Sequence, residues 1–287
     1  PCPHFGSCTG CQWQHISYDH QLSLKQEIVS DSLKRIGGLD GVEVKPTLAS
    51  PSPLGYRNHA RMTVSKDGSG RIGFVNRITR RWVPIDECLI MTPWINQTIQ
   101  DLQQKVAETT QLSLRTGINT ESRMIQPTLH NPEISLQSGQ KHYQEIILGQ
   151  QFQVSSPSFF QVNTPQAEQM ATMVLSALKL TGKELVVDAY AGVGTFAVAL
   201  ATEARQVIAI EESPAALVDA KINAGGYPNI ELVQGKVEAV FGALTARAID
   251  VVILDPPRAG CHPTVLDALI NAKPKRVVYV SCDSETL

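Results

Sequence analysis

The sequence has no long hydrophobic run. Wholly apolar stretches such as Phe196 to Ala201 fall far short of the ~20 residues that span a bilayer, so a membrane partner is not expected. No charged-then-apolar signal segment opens the chain, which points away from secretion and towards the cytoplasm. A global basic excess is missing too. Lys plus Arg total 25 and Asp plus Glu total 27, for a net charge of -2, so any nucleic-acid surface must be local. Aromatic residues are sparse at 6%, and there is no internal repeat. With 20 glycines and 17 prolines the composition is near average, which excludes collagen-like and low-complexity classes. What is present is 287 residues, 43% of them hydrophobic, enough to bury two domain cores.

The six cysteines divide into two kinds. Three crowd the start as Cys2-x5-Cys8-x2-Cys11 around a glycine-containing loop. Without a secretory signal, crowded cysteines point to metal rather than disulfides. Cys88, in Pro84-Ile-Asp-Glu-Cys88, is the natural fourth ligand. Four thiolates suit a [4Fe–4S] cluster or a structural zinc. A paired zinc knuckle carries two Cys-x2-Cys hooks and this chain has one, which favours iron–sulfur. Three unpaired loop thiols are the plain alternative, and His4 and His15 are further possible ligands. Cys261 lies in a loop, and Cys282 follows the apolar run Val277-Val-Tyr-Val280. A lone cysteine is commonly a small core residue, so Cys282 needs support from its neighbours.

Along the chain, apolar spacing predicts a helix over about 17–38, stopped by Gly37-Gly38. A proline-rich linker covers 46–55, and 56–155 reads mainly as strands and turns, with one helix at about Pro93 to Glu108. Charge is uneven. Between Tyr56 and Trp82 stand Arg57, Arg61, Lys66, Arg71, Arg77, Arg80 and Arg81 against Asp67 alone, a local +6 interleaved with Tyr56, Phe74 and Trp82. That mixture suits phosphates and exposed bases, although a solvated face of a β-domain would look similar. From Lys183 onward, short apolar runs alternate with helical segments, the pattern of βαβ units and a parallel sheet. Ligands then bind at the carboxyl ends of the strands.

The informative residues fall at those ends. The first strand leads into Asp188-Ala-Tyr190-Ala-Gly192-Val-Gly194-Thr-Phe196, where glycines let backbone approach a ligand and a helix follows. Asp188 follows buried apolar residues, where an unpaired carboxylate is costly enough to suggest a function. The second strand ends at Glu211, where an acid can hold ribose hydroxyls. Gly192-x-Gly194-x-x-Ala197 also fits a dinucleotide fingerprint, so nicotinamide and S-adenosylmethionine both remain open on these features. Asp255-Pro256-Pro257-Arg258 decides between them, because a rigid acid-Pro-Pro turn beside the cofactor is a methyltransferase signature. Enzymes that methylate exocyclic amines place an aromatic after that turn, and Arg258 stands there instead. A thiolate at Cys282 has a use in this setting. Adding it to C6 of uracil makes C5 nucleophilic towards a methyl sulfonium, and a base must then remove the C5 proton.

At this point the chain resembles the RNA 5-methyluridine methyltransferases, specifically the iron–sulfur-containing members that act on 23S ribosomal RNA. The residues that carry the resemblance are Cys2, Cys8, Cys11 and Cys88, Phe159-Phe160-Gln161-Val162-Asn163, Asp188 to Phe196, Asp255 to Gly260 and Val280-Ser-Cys282. The resemblance implies a class I methyltransferase, Rossmann-like parallel sheet of α/β class, cut after its fifth strand, with an inserted β-rich iron–sulfur domain. The corresponding domains are 1–18 and 51–155 for the iron–sulfur, RNA-binding part, and 19–50 and 156–287 for the methyltransferase part. It implies Cys282 as nucleophile. Gln161, Asp188, Tyr190, Gly192, Gly194, Glu211 and Asp255 are expected around S-adenosylmethionine and the target base. Arg57, Arg61, Arg71, Arg77, Arg80, Arg81 and Arg258 are the expected RNA contacts, and the protein is expected to act as a monomer. The sequence departs from the family at Lys236, which cannot accept a hydrogen bond from adenine. It also offers no match for the glutamate that family members use as general base near their C-terminus, and a longer enzyme clipped at both ends is the expectation. A transfer RNA methyltransferase, a base amino-methyltransferase, a non-catalytic RNA-binding module and, more distantly, an NAD-dependent dehydrogenase are the alternatives.

Overall fold

The computed structural model describes residues 2–287, which form two compact units. The first comprises the chain up to Gln26, Lys45–Glu145 and Val162–Pro165; the second comprises Glu27–Val44, Ile146–Gln161 and Gln166–Leu287. The chain thus passes between the units at 26/27, 44/45, 145/146, 161/162 and 165/166. Helix α1, Tyr18–Arg35, contributes to both units. It has Asp19 in its first turn and Lys34 and Arg35 in its last, the charges that complement a helix dipole. Gly38, at a φ of +64°, ends it, as the glycine pair predicts.

The first unit is built on a five-stranded antiparallel sheet with strands β1 (His59–Val64), β2 (Ile72–Val75), β3 (Trp82–Pro84), β4 (Gln111–Thr116) and β5 (Arg123–Gln126), in the order β3-β2-β1-β4-β5. Alternation in β1 turns Ala60, Met62 and Val64 inward and leaves Arg61 in solvent, the period of a half-buried strand. Helix α2, Pro93–Leu102, covers that core with Ile95, Ile99 and Leu102. Thr92 caps it through the Ile95 amide and Pro93 occupies its first turn, both standard start signals. The sequence pattern predicts this helix to reach about Glu108, but it stops at Leu102. The Gln103 side chain is committed elsewhere: its Oε1 accepts from Ile72 N and its Nε2 donates to the Ile85 carbonyl. Gln104 then takes a positive φ and its amide donates to Gly70 O. A Cβ on Gly70 would meet Gln104 backbone at 2.9 Å, so a glycine is required there.

Strand β6 (His142–Ile147) pairs with β7 (Gln150–Ser155). Leu148 and Gly149 between them both have positive φ, the geometry of a two-residue type I′ hairpin. The second unit then follows the predicted alternation: α3 (Thr164–Leu178), β8 (Leu185–Ala189), α4 (Thr195–Ala201), β9 (Gln206–Glu211), α5 (Pro214–Asn223), β10 (Ile230–Gln234), α6 (Val237–Leu244), β11 (Val251–Leu254), α7 (Pro263–Ala272) and β12 (Arg276–Tyr279). The five strands of this sheet are parallel, in the order β10-β9-β8-β11-β12. Both faces are covered, which explains the continuous apolar runs. Val186, Val207, Ala209, Val251 and Ile253 pack with residues of α3 and α4, while Val187, Ile208, Ile210, Val252 and Leu254 pack with α6 and α7. Strand order reverses around β8, and in open parallel sheets ligands bind at the carboxyl ends of the strands beside such a reversal. No helix of the described residues is long and apolar enough to cross a membrane.

Candidate active site and a cysteine-lined cavity

The chain leaves β8 through a turn that few residues tolerate. Tyr190 has a φ of +67° and Gly194 one of +88°, both in the left-handed region, and for tyrosine that is strained. The turn is held from outside. Ala191 N donates to Ile210 O, and Gly192 N donates to Glu211 Oε2 at 2.7 Å. The other Glu211 oxygen accepts from Ser213 N at 2.6 Å. The acid at the end of β9 is therefore fixed against the glycine loop.

Two further carboxylates share this end of the sheet. Asp188 is fully buried in β8 and neither oxygen has a hydrogen-bond partner. Its pKa is raised to about 8, by burial first and then by the charges of Asp255 and Glu211; the nearby Ala197 amide opposes the rise without completing a hydrogen bond. Asp255 follows β11 directly, and burial raises its pKa to about 6. Burial without compensating partners favours the neutral acid and makes ionisation costly, and such shifted groups concentrate at functional sites.

Cys282 lies three residues past β12 and is exposed. Val280 N donates to Leu254 O at 2.8 Å, so the segment that carries the thiol leaves the sheet beside the one that carries Asp255. The acid-Pro-Pro-Arg loop is tied to the same region, with Thr286 Oγ1 donating to the Arg258 carbonyl at 2.8 Å. Burial raises the phenol pKa of Tyr190 and of Tyr279, and the neighbouring Cys261 adds to the rise in both. Gln161 lies half-buried in the segment that follows Ser158, Phe159 and Phe160. Lys236 caps α6 and reaches Glu212 at 3.9 Å.

Helix α5 contributes two residues that sequence reasoning missed. Asp219 Oδ2 accepts from Ser155 N at 2.9 Å, Ser155 Oγ at 2.7 Å and Ser158 Oγ at 2.5 Å. Asn223, one turn on, accepts from Gln153 N and donates to the carbonyls of Gln153 and Val193. One helix face therefore anchors both the Ser155–Gln161 segment and the glycine loop. The signal was there: two polar residues at i, i+4 on the buried face of an otherwise apolar helix.

In the first unit, Cys2, Cys8, Cys11 and Cys88 line one cavity of about 440 Å³ together with Arg57 and His59. All four thiols are free and half-buried. Burial raises the pKa of Cys11 and Cys88, and neighbouring cysteines add to the rise in both. His59 is pushed down to about 3 by burial and by Arg115, Arg57 and Arg61, so it lines the cavity as a neutral ring. Among the described residues no three His, Cys, Asp or Glu side chains are grouped to hold a single metal ion. The expected RNA-contacting arginines are not equivalent. Arg57 is half-buried and donates to the His59 carbonyl, and Arg71 is paired with Asp67 at 3.2 Å and lies over Trp82. Arg61, Arg77, Arg80, Arg81 and Arg258 are exposed.

The fold and these residues define a methyltransferase that uses S-adenosylmethionine: a parallel sheet with a glycine loop after β8, an acid after β9 and an acid-Pro-Pro turn after β11. Residues 144–287 match the tRNA (Uracil-5-)-methyltransferase family. Over its whole length the chain is 33% identical to an uncharacterised RNA methyltransferase of Gloeobacter violaceus, covering 74% of that protein. It is 32% identical to another from Halalkalibacterium halodurans, covering 75% of it. A crystal structure of the Pyrococcus abyssi tRNA (uracil-54, C5)-methyltransferase in complex with S-adenosyl-L-homocysteine is similar at a TM-score of 0.77 and 28% identity, over 97% of this chain and 77% of that one. The chain belongs to the RNA uracil-5-methyltransferase family.

Proposed function

We propose that the protein methylates C5 of a uridine in 23S ribosomal RNA, with Cys282 as the nucleophile. The observation that carries this reading is the departure of Cys282 and Asp255 from the neighbouring strands β12 and β11, at the carboxyl end of the sheet. S-adenosylmethionine, when bound, supplies an electrophilic methyl group. The Cys282 thiolate adds to C6 of the uracil, and the electrons it displaces make C5 nucleophilic. After methyl transfer a base removes the C5 proton, and the C6–sulfur bond breaks to restore the ring and release the thiolate. Gly192 and Gly194 let backbone approach the cofactor, Glu211 takes its ribose hydroxyls, and Asp188, Tyr190, Gln161 and Asp255 surround cofactor and base. Arg258 and the exposed arginines of the first unit contact RNA phosphates.

We read the cysteine cavity as the seat of an iron–sulfur cube, with a structural zinc as the alternative. A cube spreads four thiolates over its corners, and Cys2, Cys8, Cys11 and Cys88 line one cavity; the single Cys-x2-Cys hook is one fewer than a paired zinc knuckle carries. Cys2, Cys8, Cys11 and Cys88 would hold the cube. Anaerobically purified protein with about four irons per chain supports this, and stoichiometric zinc overturns it.

The function is tested with RNA that contains 5-fluorouridine, whose C5 cannot lose its substituent as a proton. The parent should form a denaturation-resistant adduct in the presence of cofactor, and Cys282→Ala should not. Adduct formation by Cys282→Ala sinks the assignment. The resemblance to a transfer RNA enzyme favours transfer RNA as the second reading. Mass spectrometry of digested ribosomal and transfer RNA, each treated with the protein, separates the two.

A further inference from the structure

The loop between β2 and β3 has a frame that its exposure would not suggest. Asn76 is buried, and its Oδ1 accepts from both Ile78 N and Thr79 N at 2.9 Å. Arg80 N donates to Asn76 O, and Asn76 N donates to Arg81 O. The tip is also pinned to the cysteine loop: Asn76 Nδ2 donates to Ser7 O at 2.8 Å, and Arg77 N donates to Thr9 Oγ1 at 2.8 Å. Arg80 is held at a φ of +61°, a conformation that costs a non-glycine residue free energy.

This frame presents an unusual set of side chains. Ile78 is 84% exposed at the apex. Arg77, Arg80 and Arg81 of the same loop are exposed as well, and among the described residues none of the three has a carboxylate within ion-pair distance. A single exposed isoleucine is ordinary. One held out on a rigid turn among three unpaired guanidinium groups is the arrangement of a wedge, in which an apolar side chain enters a base step and cations hold the flanking phosphates. A protein partner would have to supply several carboxylates around one apolar slot. RNA supplies phosphates and base faces together.

We propose that residues 76–81 form an RNA wedge, in which Ile78 unstacks a base step of the substrate while Arg77, Arg80 and Arg81 hold its backbone. The inference rests on the reading of RNA as substrate and deepens it: chemistry on a base inside a structured RNA requires that stacking be broken. Because the protein's own hydrogen bonds hold the frame, little ordering cost falls on binding. Thr9, between Cys8 and Cys11, acts as a positioning residue for the tip.

The test uses an RNA stem–loop that carries 2-aminopurine, whose fluorescence rises on unstacking. Thermal unfolding serves as a check that each variant is folded. The parent should raise the fluorescence on binding. Ile78→Ser should abolish that rise and weaken binding by about fivefold while the salt dependence of binding is retained. Arg77→Ala, Arg80→Ala and Arg81→Ala combined should lower the slope of log K against log salt by about 2 to 3, at roughly 0.7–0.9 per phosphate contact. Thr9→Val should reduce the fluorescence rise and leave the slope unchanged. An unchanged rise with Ile78→Ser, or an unchanged slope in the triple variant, overturns the proposal. Formation of 5-methyluridine is scored separately on ribosomal and transfer RNA. Its complete absence from the parent would overturn the proposed function, while tip-dependent binding and unstacking would still stand.

Discussion

Asp188 makes stability depend on pH in a direction that is unusual for an aspartate. It is fully buried, neither oxygen has a hydrogen-bond partner, and its pKa is raised to about 8 from an ordinary 3.8. Below pH 3.8 the carboxyl is protonated in both folded and unfolded chains, and its ionisation costs nothing. Between pH 3.8 and 8 the unfolded chain has lost the proton that the folded chain keeps, so stability falls as pH rises. The slope is about 1.4 kcal/mol per pH unit, which between pH 5 and 7 amounts to roughly 3 kcal/mol. For a unit of this size that is about 5–10 °C in Tm. Asp188→Asn removes the ionisation, and its amide is no worse placed than the neutral carboxyl it replaces. The difference in Tm between variant and parent, measured by calorimetry at pH 5, 6 and 7, should therefore widen steadily in favour of the variant. Cofactor affinity should fall in the same variant. Parallel Tm profiles across that range would refute the account of Asp188 as a buried, uncompensated acid.

Two further substitutions address the segments that frame the site. Asp219→Asn keeps the shape but removes the charge from an oxygen that accepts three hydrogen bonds; urea unfolding should show a loss of about 1.5–3 kcal/mol, and KM for S-adenosylmethionine should rise because the Ser155–Gln161 segment loosens. Stability equal to the parent would dismiss Asp219 as its anchor. Gly194→Ala has room, since the new Cβ would lie 3.6 Å from Ala220 Cβ, but it must adopt a φ of +88°; the strain should cost about 1–2 kcal/mol in thermal unfolding, and an unchanged Tm would mean that the loop relaxes instead.

The parallel sheet was legible because short, mainly apolar runs alternate with helical segments from Leu185 to Tyr279, a pattern that few other folds produce. The acids at the strand ends followed from the same pattern. The glycine loop could be located, but the strain at Tyr190 could not, because nothing about a tyrosine announces a left-handed backbone. The end of α2 was misjudged for a tertiary reason: Gln103 has good helix propensity, and β2 and the Ile85 carbonyl claim its side chain instead. Asp219 and Asn223 were passed over because a polar residue in a helix is usually solvated, and burial of that face became visible only once β7 lay against α5. The charge count between Tyr56 and Trp82 identified a basic segment without sorting it. The structure pairs Arg71 with Asp67 and leaves Arg77, Arg80 and Arg81 unpaired, a distinction set by loop geometry rather than composition.

The carboxylates that cost this fold stability fit a cationic methyl donor better than the neutral product. Asp188, Glu211 and Asp255 end or follow the neighbouring strands β8, β9 and β11, and the first and last have raised pKa values. A positive sulfonium brought beside them favours their ionised forms. Asp188 is mostly protonated at pH 7, so binding of the donor should release up to about 0.9 proton. Its affinity should then rise with pH up to about pH 8. The demethylated thioether carries no charge at sulfur and should release far fewer protons, so the preference for donor over product should grow as the pH rises. Calorimetric titration of each ligand in two buffers of different ionisation enthalpy counts the protons directly. Equal counts for donor and product would mean that the buried acids do not sense the sulfonium, and that the cost they impose on the fold serves the loop rather than the charge of the ligand.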